Sequence, residues 1–124
     1  MNKSKKRKEY DRLYRATHRE QRREYNKKHR RLCQLRNRKY VYEYLALHPC
    51  IDCNITDVRV LEFDHKRRNH KMYRIAELMT QGMSLATIQL EIDKCVVRCA
   101  NCHRIKTLRE NKSPRYKWHR ENNR

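Results

Sequence analysis

The chain has 124 residues, with 33 Lys/Arg against 14 Asp/Glu, a formal charge of +19 and a pI near 10.1. Apolar residues make up 37% and charged residues 38%, which excludes a large hydrophobic core; domains this small commonly need a metal or disulfide staple. The charge calls for a polyanionic partner, nucleic acid ahead of an anionic membrane, because a membrane-surface helix needs a continuous apolar face that the basic N-terminal stretch lacks.

No apolar signal-peptide core follows Met1-Asn2-Lys3-Ser4-Lys5-Lys6, and no apolar run approaches membrane-spanning length. The expected setting is reducing and cytoplasmic, where cysteines stay thiols or metal ligands. Charge is uneven: residues 1–49 hold 17 Lys/Arg and 5 Asp/Glu, a net +12, against +7 for the rest. Residues 1 to about 47 contain no Gly or Pro and are rich in Arg, Lys, Glu, Gln and Leu, which predicts a long helix, unbroken or broken once. Asp11 to Arg15 and Glu24 to Lys28 support it at i, i+4. Charges encircle it, so a disordered basic tail competes for residues 1–20. Tyr14-x3-His18-Arg19 recurs eleven residues later as Tyr25-x3-His29-Arg30, which would align tyrosines and basic groups on one face. Arg15, Arg19, Arg22, Arg23, Lys27, Lys28, Arg30 and Arg31 are the arm's candidate DNA contacts. Apolar residues thicken through Leu32, Leu35, Tyr40, Val41, Tyr44, Leu45 and Leu47, so the end of the helix is expected to pack on the next unit and to stop before Pro49.

Cys50-Ile51-Asp52-Cys53 and Cys99-Ala100-Asn101-Cys102 are two C-x2-C pairs, and two such pairs make a tetrahedral four-cysteine zinc site. The 45 residues between them are more than a zinc ribbon usually carries, so the zinc must close a segment with its own content. Cys33 and Cys95 remain as small apolar residues. Asn54 follows the first pair, where many knuckles turn through positive φ, and Asn tolerates that conformation. A strand is expected over 58–64, a basic loop over 66–71 and a short helix over 72–79. Gly82, the only glycine, marks a turn. Ser84 can cap a helix to about Asp93 that buries Leu85, Ile88 and Ile92. Cys95-Val96-Val97-Arg98 suits a strand antiparallel to 59–64, and a helix follows from near Ala100. The tail after Leu108 is basic, with Tyr116 and Trp118.

This order brings Asp64-His65 near His103. A helix turns about 100° per residue, so Cys102 and His103 are expected to serve separate sites. Phosphodiester hydrolysis needs an activated water, positive charge on the phosphate and support for the leaving oxygen; one carboxylate and two imidazoles can furnish a metal site and a general base. Adjacent residues of a regular strand face opposite sides, so Asp64 and His65 share a site only if the strand ends or bends between them.

The strings CIDC, LEFDH and KCVVRCANCHRIKT, over residues 50–107, resemble the HNH endonucleases of the ββα-metal class, particularly small phage-encoded ones with a zinc-bound C-x2-C pair at each end of the motif. The resemblance implies an α+β fold: a small zinc-stapled ββα-metal domain at 48–108, preceded by the basic helical arm 1–47 and followed by the basic tail 109–124. It implies Asp64 and His103 as ligands of a catalytic divalent ion (Mg2+, or another such as Mn2+ or Ni2+), His65 as the base, and structural Zn2+ on Cys50, Cys53, Cys99 and Cys102. Histidine suits the base role because its unperturbed pKa lies near neutrality. The expected partner is duplex DNA, with no membrane role and a homodimer left open. The family often has an asparagine about five residues before the second knuckle that orients the base; here that residue is Lys94. His70 is a second candidate base. Lys66, Arg67, Arg68, Lys71, Arg104 and Lys106 would neutralise phosphates, positioning DNA without reading its sequence. The competing reading is a catalytically silent zinc module that binds nucleic acid or joins a nucleoprotein assembly.

Overall fold

The N-terminal stretch forms two helices, α1 (Lys3–Thr17) and α2 (Arg19–Leu47), so the predicted arm carries one break, at His18. The computed structural model describes residues 2–123; Met1 and Arg124, the outermost residues of the predicted arm and tail, lie outside them. The break has a local cause. Thr17 Oγ1 donates to the carbonyls of Leu13 and Tyr14 at 2.9 and 3.0 Å, and His18 Nδ1 sits 2.9 Å from the Tyr14 carbonyl. The ladder bond itself survives, the His18 N–H donating to the Tyr14 carbonyl at 3.0 Å, so the side chains share its acceptors, a back-bonding that bends helices; the His18 ring stacks on Tyr14 with centroids 3.9 Å apart. The same Tyr-x3-His arrangement closes α2: His48 stacks on Tyr44 at 3.8 Å and its Nδ1 lies 2.7 Å from the Tyr44 carbonyl. Two of three copies therefore end helices. Only Tyr25 and His29 lie inside one, with rings 6.1 Å apart.

α1 buries nothing, whereas α2 docks through Asn37, Val41 and Leu45, one residue per turn. The expected stripe is corrected at Leu32, Leu35 and Leu47, which stay exposed. Fully buried Asn37 donates from Nδ2 to the Met83 carbonyl at 2.9 Å, and Gln34 donates to that of Thr80 at 2.6 Å. Tyr40 hydrogen-bonds Gln89. The second half of α2 is therefore part of the folded unit.

Past the first cysteine pair, Asn54 takes φ 62°, the left-handed turn its position predicted. Asp57 then accepts from the Arg59 N–H and caps a 3-10 turn, Val58–Val60, so strand β1 (Leu61–His65) starts three residues later than expected. It pairs antiparallel with β2 (Cys95–Cys99), in a register that sets Leu61 against Cys99 and His65 against Cys95. Between the strands lie a 3-10 turn at Arg68–His70, α3 (Ile75–Thr80) and α4 (Leu85–Ile92), the last capped by Ser84 accepting from the Thr87 N–H. Gly82 has φ 70°, and a Cβ there would meet the Cβ of Cys33 at 3.3 Å. That close approach lets α2 pass over the α3–α4 turn.

α5 (Ala100–Glu110) begins directly after β2, its first turn capped by the Cys99 sulfur, which accepts from the Cys102 N–H. Lys112, at φ 52°, reverses the chain into α6 (Pro114–Asn122), so the basic tail is helical and packs on α5. Val41, Leu45, Leu61, Leu78, Ile88, Ile92 and Val97 form the core that joins α2, the sheet and the α3–α4 pair. The fold is a mixture of helices with one two-stranded sheet. Among the described residues, no helix is long and apolar enough to cross a membrane.

Candidate functional site

The β1–β2 register places Cys99 at the end of β2, and helix α5 carries Cys102 one turn on. The first pair reaches them because the Ile51 N–H donates to the Val97 carbonyl at 3.0 Å and the Cys50 N–H to the Ile55 carbonyl at 3.1 Å. The sulfurs of Cys50, Cys53, Cys99 and Cys102 all lie within 4.8 Å of one another, and those of Cys53 and Cys99 are 3.8 Å apart. Sulfurs around a zinc ion at about 2.3 Å stand about 3.8 Å apart in a tetrahedron, so the donor set fits a metal ion such as zinc. Burial opposes charge on Cys50, but the backbone N–H groups of Cys99, Cys53 and Asp52 outweigh it and bring this thiol down to about 6. Sulfur neighbours, Cys99 first, push Cys102 upward. A bound cation would remove that mutual penalty. Of the leftover cysteines, Cys95 is buried and donates to the Glu91 carbonyl at 3.3 Å, its thiol pushed up to about 11 by burial.

His103, next to Cys102, turns away from this cluster. Its Nε2 lies 3.5 Å from Asp64 Oδ1, and its Nδ1 lies 3.1 Å from Glu62 Oε2. The Asp64 carboxylate is buried at 8% exposure, and Oδ2 accepts from Arg98 Nη1 at 2.5 Å and Lys106 Nζ at 2.7 Å. Burial works against its charge, but Lys106 and Arg98 prevail and hold the carboxyl below the usual range. Two cis ligands of an octahedral cation with bonds of about 2.1 Å stand about 3.0 Å apart, so Asp64 Oδ1 and His103 Nε2 could share an ion with modest movement. They are two protein ligands only. Among the described residues, the four cysteines are the one group of three or more His, Cys, Asp or Glu close enough to hold a metal.

β1 continues through His65 without ending at Asp64. Asp64 engages β2 and α5, while His65 Nε2 meets Glu91 Oε1 of α4 at 2.7 Å, with side chains 9% and 4% exposed. Both nonetheless line one cleft of about 560 Å³, together with His103, Lys66, Lys71 and Lys106. Glu91 is the residue that the sequence reading missed. Oε1 also accepts from the Met72 N–H at 3.1 Å, and Oε2 from Lys94 Nζ at 2.8 Å. Burial disfavours its charge, yet Lys94, His65 and backbone N–H groups hold it down to about 2. The Lys94 carbonyl accepts from the Lys66 N–H at 2.9 Å, so Lys94 reaches His65 through Glu91 rather than directly. A signal existed: Glu91 follows Ile88 by three and precedes Ile92, an acid on the buried stripe. Glu62, Arg98 and Asp52 were likewise missed, and Arg98 Nε donates to Asp52 Oδ2 at 2.8 Å.

Of the predicted phosphate contacts, Lys66, Arg68, Lys71 and Lys106 border the cleft, whereas Arg67 and Arg104 are exposed outside its lining. His70 also lies outside it, in the 3-10 turn. Arg15, Arg19, Arg22 and Arg23 share one groove across the α1–α2 break. Arg23, Lys27 and Arg30 form another with Gln81 and Gly82. Lys28 and Arg31 are exposed on α2. No family model matches the chain, and comparison with curated proteins and with solved structures finds no significant match.

Proposed function

We propose that the chain is a metal-dependent DNA endonuclease of the HNH type, with a structural zinc on its four clustered cysteines. The observation that carries this reading is the convergence of Asp64, His65 and His103 on one cleft bordered by Lys66, Arg68, Lys71 and Lys106. A divalent ion, when bound, supplies polarisation of the phosphate and stabilises the departing 3′ oxygen. Asp64 Oδ1 and His103 Nε2 would hold it. Glu62 accepts from His103 Nδ1 and so leaves Nε2 with its lone pair free. His65, donating from Nε2 to Glu91, presents Nδ1 as the nitrogen that takes the proton from the attacking water. The bordering lysines and Arg68 neutralise the phosphate as charge builds on it. The products carry 5′-phosphate and 3′-hydroxyl ends.

One observation favours the second reading, a silent zinc module that binds nucleic acid: the Asp64 carboxylate is already engaged by Arg98 and Lys106. Plasmid nicking decides between them. Conversion of supercoiled to relaxed DNA with Mg2+, Mn2+ or Ni2+, abolished in His65→Ala, is the expected result. No nicking with any of the three by zinc-loaded, DNA-binding protein would establish the silent module.

A further inference from the structure

Behind the polar cleft lies a second cavity of about 570 Å³ whose character is different. Its floor is the buried apolar side chains of Val41, Leu45, Leu61 and Ile75, and its lining also carries Tyr42, Arg74 and the Glu62 carboxylate that is paired with His103. Phe63, His65, Lys71 and His103 line both cavities, so one wall of a phenyl ring, two imidazoles and a lysine separates a cation-lined space from a mainly apolar one. A nucleotide has this composition: a phosphate anion joined through a sugar to a flat apolar ring. We infer that the apolar cavity receives a nucleobase next to the phosphate held in the cleft, turned out of its stack, so that the preferred substrate is DNA with an unpaired or mismatched nucleotide. The inference rests on the nuclease reading for the identity of the cleft, but its test reads binding alone.

Three physical points support a base over another occupant. Rings such as Phe63 and Tyr42 stack bases of any sequence. The flanking cations, Lys71 and Arg74, match the phosphates that must enter beside a base. A base can leave a duplex only after unstacking and unpairing, a cost smallest where it is already mismatched or bulged. That last point sets the expected size of the effect: DNA with a single unpaired nucleotide should bind about tenfold more tightly than the fully paired duplex, or more.

The experiment titrates full-length, zinc-loaded protein into two labelled duplexes that differ only by one bulged nucleotide, in the absence of a divalent ion so that nothing is cut. The bulged position carries 2-aminopurine, whose fluorescence falls when it stacks on a protein ring. Tighter binding of the bulged DNA with quenching is expected. Ala76→Phe, which fills the cavity from an exposed position on α3, and Tyr42→Ala, which removes an exposed ring, should both move the affinity ratio toward one. Equal affinities for the two duplexes, or a preference that survives both substitutions, would overturn the inference. Failure of the nuclease reading shows elsewhere, as binding of either DNA without nicking.

Discussion

His65 and His103 each lean on a carboxylate, but the two pairs differ in how far water screens them. The His65 and Glu91 side chains are 9% and 4% exposed, whereas those of His103 and Glu62 are 31% and 46% exposed. The buried pair fixes a ring; the open pair can rearrange around an ion. His65→Ala should therefore cut the nicking rate by roughly 10² to 10⁴, the usual contribution of general acid–base catalysis, with no rescue by added metal. On the proposed reading each of His103→Ala and Asp64→Ala removes one ligand of two, so both should regain part of their activity as metal is raised. Rate against metal concentration for the three variants is the measurement, and metal rescue of His65→Ala alone would reverse the roles. Glu91→Gln tests the positioning carboxylate in a different coordinate. Removing one partner of a buried pair costs on the order of 3 kcal/mol, so denaturant unfolding of the variant should come early at neutral pH. Glu91 is held at about 2 against an ordinary 4.5. A depressed acid contributes stability that is fully present above the unfolded value and is lost as pH falls through the folded one. The gap between wild type and Glu91→Gln should accordingly narrow as pH drops below 4.5 toward about 2; a gap constant over that window would contradict the linkage.

At the scale of elements, Arg98 on β2 bridges the first cysteine knuckle and the cleft, since its guanidinium holds Asp52 on one side and Asp64 on the other. Lysine keeps the charge but cannot fork between two carboxylates. Arg98→Lys should thus retain zinc and fold while the nicking rate falls roughly tenfold through misplacement of Asp64. Cys99→Ser, by contrast, should lose metal and cooperative unfolding together. Zinc content measured beside nicking rate separates the two, and an undiminished rate in Arg98→Lys would reduce the bridge to a surface contact. The elements themselves were legible wherever a residue carries a local reason: Asn54 and Gly82 at positive φ, Ser84 at a helix start, Pro49 beyond a helix end, the four cysteines at metal spacing. What escaped was decided by particular side-chain bonds, two of them local and one across elements. The arm breaks at His18, where the Thr17 and His18 side chains share the carbonyls of the preceding turn, Val58–Val60 becomes a 3-10 turn because Asp57 engages Arg59, and Glu91 joins His65 across 26 residues. Alternation along β1 argued against Asp64 and His65 sharing a site without a bend. They share a cleft because it wraps the end of the strand, lined by β1, the loop that follows it and α5.

For the whole molecule the question is how a charge of +19 divides between the proposed DNA partner and the fold. α1 and the first turns of α2 bury no residue, while α2 from Gln34 onward is tied into the α3–α4 turn. Residues 1–25 carry ten Lys/Arg and four Asp/Glu, and the groove formed by Arg15, Arg19, Arg22 and Arg23 lies on the side chains of that stretch and Asn26. None of these cations touches the cleft. On the proposed reading their work is electrostatic: each phosphate neutralised releases counterions, and each lost contact should take about 0.9 off the slope of log affinity against log salt. Deleting residues 1–25 should therefore weaken duplex binding most at low salt and flatten its salt dependence, while zinc content and the metal dependence of nicking stay as they were. Binding isotherms at several salt concentrations for the two forms measure the difference. A truncated protein with the full slope would place the DNA on the cleft, α5 and α6 alone, and would leave the arm's charge to some other polyanion.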